Sequence, residues 1–463
     1  MTTSTSPAPL RKRPFTVSAA LAALTLLATG CAHRPPTPIL EKADAPGYRM
    51  SEANRPGQSE DLFVVLAFSG GGMRAAALGY GTLEELRRTE VAVGGRKHAL
   101  LDEVDVISAI SGGTLPATYY GLRGEKTFEE FDAKVLSRDL EMALVWRILT
   151  PTNWFRLPSG DFNRSDLFAE IYDETVFGGA TFGDLKKAGG PFIMVHGTDM
   201  TMGARFSFTQ DQFDAICGDL SKVTLGRAIA TSTALPPMLP PMTFENHAGS
   251  CSYQGPAWQA AAEKAAAGSD TPGRSLWRAR ALKAYNDPKR PFIHVFDGGL
   301  SENLGLAEVA GGLDLLQVAP DAPGLASLRK AKKVVVIAVN ALRFPEVDWD
   351  QHSEPPGKGD QKDQMWSIPV DRTSLDALEK VREQLDRWKA AGPADGPDKR
   401  ETYMVQITFD RLTDPAERKY FTGVKTSLAL PHDQVDKLRE VSGRLLRESP
   451  SFKRLLADLA AGR

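Results

Sequence analysis

The sequence predicts an α/β fold in which a mostly parallel central sheet is covered by helices on both faces. Three observations lead to this prediction. Continuous apolar runs recur along the chain, as expected of strands that are buried on both sides. Segments with helical spacing of apolar residues lie between these runs, and glycine-rich turns follow several of them. Because a helix between two strands returns the chain to the same end of the sheet, the alternation favours parallel pairing.

The first 31 residues have the order of a secretory signal. Basic residues 11–13 precede an apolar run, 15–27, that is too short to favour a permanent membrane span, and small residues precede Cys31. This end of the signal resembles the lipobox of bacterial lipoproteins. The resemblance implies that Cys31 is diacylated and anchors the protein to a membrane surface, and that Ala32 directs sorting to the outer membrane. Ordinary signal cleavage, which would give a secreted or periplasmic protein, is the alternative.

The rest of the chain divides by composition into three parts. Residues 32–60 are polar and proline-rich, which predicts a flexible tether. Residues 61–345 carry most of the alternating strands and helices and predict the main domain. Residues 346–463 predict a C-terminal extension, with a polar loop, one strand and helices that pack on the core.

The first predicted strand, 61–68, runs into a glycine-rich loop that is followed by a helix, 75–90. Such a loop exposes backbone N–H groups, which suit a phosphate group or a developing oxyanion. Its spacing matches neither the dinucleotide-binding nor the Walker pattern and therefore favours an oxyanion hole. A turn that only lets the helix pack closely is the alternative. The loop residues are Gly70, Gly71, Gly72, Met73 and Arg74.

A second glycine-rich turn lies between the predicted strand 104–110 and a helix, 114–122. A serine at this position has its hydroxyl at the tip of a tight turn and faces a helix N-terminus, as in the G-x-S-x-G nucleophile elbow. Here Ala109 replaces the first glycine, and an ordinary strand-to-helix turn is the alternative. Ser108 is a second candidate serine, but it lies inside the strand. The turn residues are Ser111, Gly112 and Gly113.

The middle of the chain holds further apolar candidates. Residues 127–185 predict irregular helices, with Trp146, Trp154 and Phe155 as apolar anchors in the core; a role in ligand binding is the alternative. Residues 234–242 carry four prolines and present an apolar wall for an acyl chain, although core packing of the same side chains is equally consistent with the pattern. The wall residues are Leu235, Met238, Leu239 and Met242.

Two cysteines, Cys217 and Cys251, either pair in an oxidising compartment or remain thiols.

A third glycine-rich turn, Asp297 with Gly298 and Gly299, follows the predicted strand 292–296. Because the carboxyl ends of strands in an open α/β sheet line one crevice, the three turns are expected to converge there. A buried carboxylate in reach of a serine can accept its proton if desolvation raises the carboxylate's basicity. Further strands are predicted at 191–195, 206–208, 334–339 and 403–409, and further helices at 225–233, within 254–286, at 373–391 and within 431–459.

Composition excludes several classes of protein. The 56 basic and 58 acidic side chains give a net charge of -2, so no basic excess exists to bind nucleic acid. No Cys/His spacing predicts zinc and no acidic loop predicts calcium, so no metal and no cofactor is expected.

In this order, the three motifs resemble those of patatin-like phospholipases, which have a G-G-G-x-R loop, a G-x-S-x-G serine and a D-G-[GA] aspartate. The resemblance covers about 61–339 and includes residues 232–237 and 302–303. It implies the three-layer fold of that family and a catalytic dyad of Ser111 and Asp297. It also implies an oxyanion hole formed by Gly70, Gly71, Gly72 and Gly112, with Arg74 ordering the loop or favouring the anion; Gly113, Gly298 and Gly299 complete the motifs.

The function that the resemblance implies is a serine lipid acyl hydrolase, which cleaves phospholipids or lysophospholipids through an acyl-enzyme at a membrane surface. Two alternatives stay open, a non-catalytic lipid-binding envelope lipoprotein and an esterase or thioesterase for soluble acyl groups. A Ser-His-Asp triad would need His352 or His432 as its base. His196 and His294, which lie within or at the end of strands, are expected to be structural.

Overall fold

The body of the protein is built on an eight-stranded sheet with helices on both faces. The computed structural model describes residues 33–43, 45–53, 55, 57–267, 274–343, 347–393 and 395–462. The sheet strands are β1 (Leu62–Phe68), β4 (Val104–Ile110), β5 (Phe192–Asp199), β6 (Arg205–Ser207), β7 (Met242–Glu245), β8 (Phe292–Asp297), β9 (Lys333–Val339) and β10 (Glu401–Ile407). A separate hairpin consists of β2 (Glu90–Val93) and β3 (Arg96–Ala99).

The strand order is β10-β9-β1-β4-β5-β8-β7, and β6 pairs with β5. The pairings from β10 to β5 are all parallel, whereas β6, β7 and β8 are joined by antiparallel pairings. Every residue of β1 is buried, because helices cover both faces of the sheet at its centre. The predicted three-layer α/β fold with a mostly parallel sheet is therefore confirmed.

The helices cover the sheet and complete the surface. None of the described helices combines the length and the apolar composition that crossing a bilayer requires. The helices are α1 (Met73–Arg88), α2 (Thr114–Arg123), α3 (Thr127–Phe131), α4 (Leu140–Leu149), α5 (Asn153–Arg156), α6 (Arg164–Tyr172), α7 (Phe182–Ala188), α8 (Gln210–Asp214), α9 (Leu225–Ser232), α10 (Ala257–Ala267), α11 (Arg274–Tyr285), α12 (Leu306–Val318), α13 (Ala326–Lys330), α14 (Lys358–Ala390), α15 (Pro415–Gly423), α16 (His432–Glu448) and α17 (Pro450–Ala460).

The C-terminal extension is part of the same body. Its strand β10 pairs with β9 at the edge of the central sheet. Helix α14 begins at Lys358, so the polar loop predicted before residue 373 is shorter than expected. The first turns of α14 are mostly exposed, and Pro369 lies inside the helix. Because a proline in a helical pattern normally marks a helix boundary, the sequence did not indicate these turns.

The segment predicted to be a flexible tether packs against the body over its described residues, so that prediction is wrong for them. Leu40 and Tyr48 are buried. The backbone N–H of Leu40 donates to the carbonyl of Cys217 at 2.8 Å, and the hydroxyl of Tyr48 accepts from the N–H of Ile193 at 2.7 Å. A few apolar side chains with specific contacts hold this segment, and average composition does not reveal them.

Cys217 and Cys251 form a disulfide with a Cα–Cα distance of 5.5 Å. Both cysteines are buried, and the N–H of Ala43 donates to the carbonyl of Cys251 at 3.0 Å. The disulfide therefore lies under the N-terminal segment. Of the two states that the sequence left open, a disulfide and two free thiols, the structure contains the disulfide.

The aromatic side chains predicted to anchor the helical region lie on the surface instead. Trp146, Trp154 and Phe155 are 66%, 59% and 67% exposed. The core contacts of α4 are made by Leu140 and Leu144 on its opposite face, which leaves no interior position for Trp146. The predicted acyl-binding wall is divided: Leu239 and Met242 are buried in the core, whereas Leu235 and Met238 are exposed.

Candidate active site

Ser111 lies at the end of β4, where the chain turns into α2. Its φ of 48° is in the left-handed region, which is unusual for a residue with a side chain. The surrounding structure holds this conformation: the backbone N–H of Ser111 donates to the hydroxyl of Ser232 at 2.8 Å, and that hydroxyl donates to the carbonyl of His196 at 2.6 Å. A strained serine fixed at a strand-to-helix turn is the geometry of a nucleophile elbow.

The glycines after Ser111 permit close contact with the first glycine-rich loop. A Cβ at Gly112 would lie 2.0 Å from the carbonyl oxygen of Gly72, and a Cβ at Gly113 would lie 2.6 Å from that of Ser69. Any side chain at either position would therefore separate the serine turn from the glycine-rich loop.

Asp297 reaches the same point from an antiparallel strand. In the sheet, Gly197 of β5 pairs with Asp297 of β8, and the neighbouring His196 pairs with Ile110 of β4. Asp297 therefore lies beside the turn at Ser111. The three turns converge as expected. However, β8 runs in the direction opposite to that of β1 and β4, whereas the prediction assumed that all three turns follow parallel strands.

The two side chains form a direct hydrogen bond. The hydroxyl of Ser111 donates to Oδ2 of Asp297 at 2.9 Å, while Oδ1 accepts from the N–H of Gly299 at 2.8 Å. Both residues are buried. Burial raises the pKa of Asp297 to about 6, against the opposing effect of these two hydrogen bonds. At neutral pH, Asp297 is thus a carboxylate with increased basicity in contact with a hydroxyl.

The glycine-rich loop presents backbone donors beside Ser111. Gly71 and Gly72 have φ angles of 139° and 61°, which side chains rarely permit, and no described residue accepts a hydrogen bond from either N–H. The N–H of Gly70 instead donates to the carbonyl of Asn303 at 3.0 Å. Of the three loop glycines among the four glycines predicted to form an oxyanion hole, Gly70 is therefore an anchor, and Gly71 and Gly72 have donors available for an oxyanion.

Arg74 ties the glycine-rich loop to later parts of the chain. Its Nε donates to the carbonyl of Ala341 at 2.9 Å, and Nη1 donates to that of Val424 at 2.6 Å. Burial, with repulsion from Arg343, lowers the pKa of Arg74 to about 9. Of the two roles that the sequence suggested for Arg74, the contacts support ordering of the loop.

The histidines form contacts away from the dyad. In the described part of the chain, no histidine hydrogen-bonds to Ser111 or Asp297. His352 contacts Asp348, and His432 is exposed on α16. His196 lies 2.9 Å from the hydroxyl of Ser108, but that hydroxyl donates to the carbonyl of Gly305. Burial lowers the pKa of His196 to about 3, so it is neutral in this network.

Three positioning contacts were not identified from the sequence. Ser232 fixes the backbone of Ser111, Asn303 holds Gly70, and the carbonyl of Ser427 accepts from the N–H of Met73 at 2.9 Å. Ser232 and Asn303 lie in stretches that had already been noted for their resemblance to the family. Ser427 lies in the C-terminal extension, and its local sequence carries no comparable signal.

One group of possible metal ligands occurs among the described residues. Ligand atoms of Asp132, His432 and Asp436 lie within 4.8 Å of one another. Both aspartates also form ion pairs with Arg439, which accounts for the cluster without a metal. Cys31, the predicted lipidation site, and the rest of the predicted signal lie outside the described residues.

Comparison with known proteins shows a family match for the chain. The family model described as patatin-like phospholipase matches residues 66–310, more than half of the chain. Human GIVD cytosolic phospholipase A2 is similar, at 14% identity with a TM-score of 0.46, over 89% of this chain and 64% of that one. VipD from Legionella pneumophila matches at 13% identity with a TM-score of 0.27, over 90% and 72% of the two chains. This chain thus spans slightly less than two thirds of the length of the human enzyme. No curated protein matches the sequence.

Proposed function

Because the chain belongs to the patatin-like phospholipase family, we propose that it is a serine lipid acyl hydrolase in which Ser111 and Asp297 form the catalytic dyad. The observation that carries the proposal is the 2.9 Å hydrogen bond from the Ser111 hydroxyl to Oδ2 of Asp297, in a buried site beside two backbone donors from which no described residue accepts. The proposed substrates are the carboxylic esters of phospholipids or lysophospholipids.

In the proposed first step, the Ser111 Oγ attacks the ester carbonyl as its proton passes to Asp297. The carbonyl oxygen becomes an oxyanion, and the ester bond then breaks as the leaving alcohol takes the proton from Asp297. In the second step, Asp297 accepts a proton from water, and the hydroxide attacks the acyl-enzyme. The fatty acid leaves, and Oγ recovers its proton from Asp297.

The N–H groups of Gly71, Gly72 and Gly112 are the proposed oxyanion donors. Gly71 and Gly72 lie in the loop against the serine turn, and Gly112 follows the nucleophile at the start of a helix, where backbone N–H groups point outward. Donors that are fixed before the reaction stabilise the developing charge without a reorganisation cost.

We also propose that the protein is a lipoprotein of the bacterial cell envelope, anchored in the outer membrane through Cys31. The order of residues 11–31 supports a lipoprotein signal, and the disulfide between Cys217 and Cys251 supports an oxidising compartment. Secretion or release into the periplasm after ordinary signal cleavage is the alternative. Mass spectrometry of the mature N-terminus, with Cys31→Ser as the control, distinguishes the two.

The test of the hydrolase is fatty acid release by the full-length chain from phosphatidylcholine vesicles, in which it is reconstituted, or from lysophosphatidylcholine micelles. Release is expected from the wild type and not from Ser111→Ala. A fluorophosphonate probe should label Ser111, as shown by mass spectrometry of the labelled peptide. Equal release from both proteins would refute the assignment of Ser111. No release and no labelling would favour a lipid-binding role, and activity on soluble esters alone would favour an esterase.

A further inference from the structure

Helix α4 is apolar on two opposite faces. Its inner face packs on the core through Leu140 and Leu144. The outer face of a surface helix is normally polar. Here it carries apolar side chains at the spacing i, i+3, i+4 and i+7, which places them in one stripe. The stripe consists of Met142, Val145, Trp146 and Leu149, all exposed.

Helix α5 extends this stripe with two exposed aromatic side chains. Asn153 is buried, and its Nδ2 donates to the carbonyl of Arg147 at 2.7 Å, which ties α5 to the end of α4. Trp154 and Phe155 consequently point outward. The apolar surface is defined as Met142, Val145, Trp146, Leu149, Trp154 and Phe155, which are between 40% and 67% exposed. Soluble proteins rarely leave a contiguous apolar patch of this kind unless it contacts a partner or a membrane.

The two cations of α4 and α5 have acidic partners. Arg147 pairs with Glu174, and Arg156 pairs with Glu170. The surface therefore offers apolar and aromatic contacts with little net charge. Tryptophan is enriched at the boundary between water and lipid, because its ring is apolar and its N–H is a hydrogen-bond donor. The chemistry fits the interfacial zone of a bilayer and does not require anionic headgroups.

The N-terminal segment contacts the body at Asp161, beside Phe162, on whose ring the guanidinium of Arg156 at the end of α5 stacks. The backbone N–H of Arg34 donates to the carbonyl of Asp161 at 3.2 Å, and Nδ1 of His33 lies 3.0 Å from a carboxylate oxygen of Asp161. Asp161 follows Phe155 by six residues. The proposed anchor, Cys31, precedes His33 by only two residues, so a lipid on Cys31 would hold this side of the body at the membrane.

A proline-rich segment with two exposed apolar side chains lies between the start of α6 and the dyad. At the start of α6, Asn163 Nδ2 and Ser165 Oγ donate to the carbonyls of the proline-rich segment 235–241, at 3.1 Å and 2.5 Å. That segment exposes Leu235 and Met238. Its first residue follows Ala234, whose carbonyl accepts from the N–H of Asp297 at 3.0 Å.

We propose that the apolar surface inserts into the interfacial region of a phospholipid bilayer and that this orients the body on the membrane. The proposal concerns where the body meets lipid. It goes beyond the proposed hydrolysis and does not require Ser111 to be catalytic, so either proposal can fail without the other.

The test uses the full-length chain in phosphatidylcholine vesicles whose acyl chains carry bromine, which quenches tryptophan fluorescence at close range. The chain has seven tryptophans, so variants identify those that contact lipid. Brominated lipid should lower the emission of the wild type, and the double substitution Trp146→Phe with Trp154→Phe should abolish most of that decrease. The matched control is Trp277→Phe, because Trp277 is 62% exposed on α11 and lies outside the apolar surface. It should retain the decrease.

Phenylalanine keeps an aromatic ring at each position, and an unchanged melting temperature verifies that the double variant is folded. Quenching of the double variant as strong as that of the wild type would overturn the proposal. Accessibility of Trp146 and Trp154 to aqueous iodide, without quenching by bromine, would show that the surface stays in water. Protection from both quenchers would show that a second copy or the chain's own N-terminal segment covers the surface, which also overturns the proposal.

Discussion

Replacing Asp297 with asparagine is expected to abolish hydrolysis and, at the same time, to stabilise the protein at neutral pH. Burial raises the pKa of Asp297 from 3.8 to about 6, so the folded protein favours the neutral form of this side chain. Asparagine is neutral and has nearly the same shape. Its oxygen can accept from the N–H of Gly299 and its NH₂ group can donate to the hydroxyl of Ser111. Both positions of the carboxyl group therefore keep a hydrogen bond, although the one to Ser111 is reversed in direction.

The size of the effect follows from the pKa shift. A rise from 3.8 to about 6 corresponds to about 3 kcal/mol, because one pKa unit is worth about 1.4 kcal/mol. The folded pKa is the higher one, so the stability contributed by protonated Asp297 is fully present below pH 3.8 and is lost as the pH rises through about 6. Asparagine has no ionisable group, so the variant does not lose stability at this position as the pH rises. Its advantage in unfolding free energy should therefore grow by about 2–3 kcal/mol between about pH 4 and pH 7.5.

The assay is denaturant unfolding of the wild type and Asp297→Asn across this pH range, followed by circular dichroism. Any change in packing caused by asparagine adds the same offset at every pH, so the pH dependence isolates the ionisation. Asp363→Asn removes one negative charge from an exposed position on α14 and serves as the control. Parallel stability curves for the wild type and Asp297→Asn would refute the argument, since they would mean that folding does not disfavour the carboxylate.

Three further predictions test the site. The value of kcat/KM for a soluble ester should fall below about pH 6, because protonated Asp297 cannot accept the serine proton, and a profile that is flat down to pH 4 would contradict its role as base. Arg74→Lys should lower kcat more than it changes KM, because one amine cannot replace both guanidinium hydrogen bonds to the loop's neighbours, and an unchanged kcat would argue against ordering of the loop by Arg74. Ser232→Ala leaves the buried N–H of Ser111 without its acceptor and should cost about 1–3 kcal/mol of unfolding free energy and about tenfold in kcat. Ser232→Thr keeps a hydroxyl and should recover part of both losses; equal losses in the two variants would contradict the hydrogen-bond argument.

The sequence predicted the parts of the fold that depend on local pattern. The apolar run at β1 and the turn after β4 were predicted within a few residues, because a strand buried on both faces and a glycine-rich turn each leave a local signature. The order of the three motifs was sufficient to expect that Ser111 and Asp297 would be close together. The sequence did not reveal the direction in which β8 runs, but the contact between Ser111 and Asp297 could be expected without it.

What the sequence did not predict depends on contacts between distant residues. Leu239 and Leu235 belong to the same apolar segment, yet one is buried and the other exposed, because only the fold determines which side faces the core. Trp146 was expected inside because aromatic residues are usually buried, and its exposure follows from core contacts that α4 already makes with its other face. Tertiary packing, and not local preference, decides such positions.

The geometry of the glycine-rich loop belongs to the whole chain and not to the matched family region alone. That region ends at residue 310, but the carbonyl of Ser427 accepts from Met73, and the carbonyl of Val424 accepts from Arg74. A Cβ at Gly72 would lie 2.3 Å from the Ser427 carbonyl oxygen. Glycine is therefore required at this position both by its φ of 61° and by the C-terminal segment that packs against it. The backbone donors proposed for the oxyanion thus depend on contacts from both the N-terminal and the C-terminal part of the sequence, so the C-terminal extension is part of the structure that holds the site.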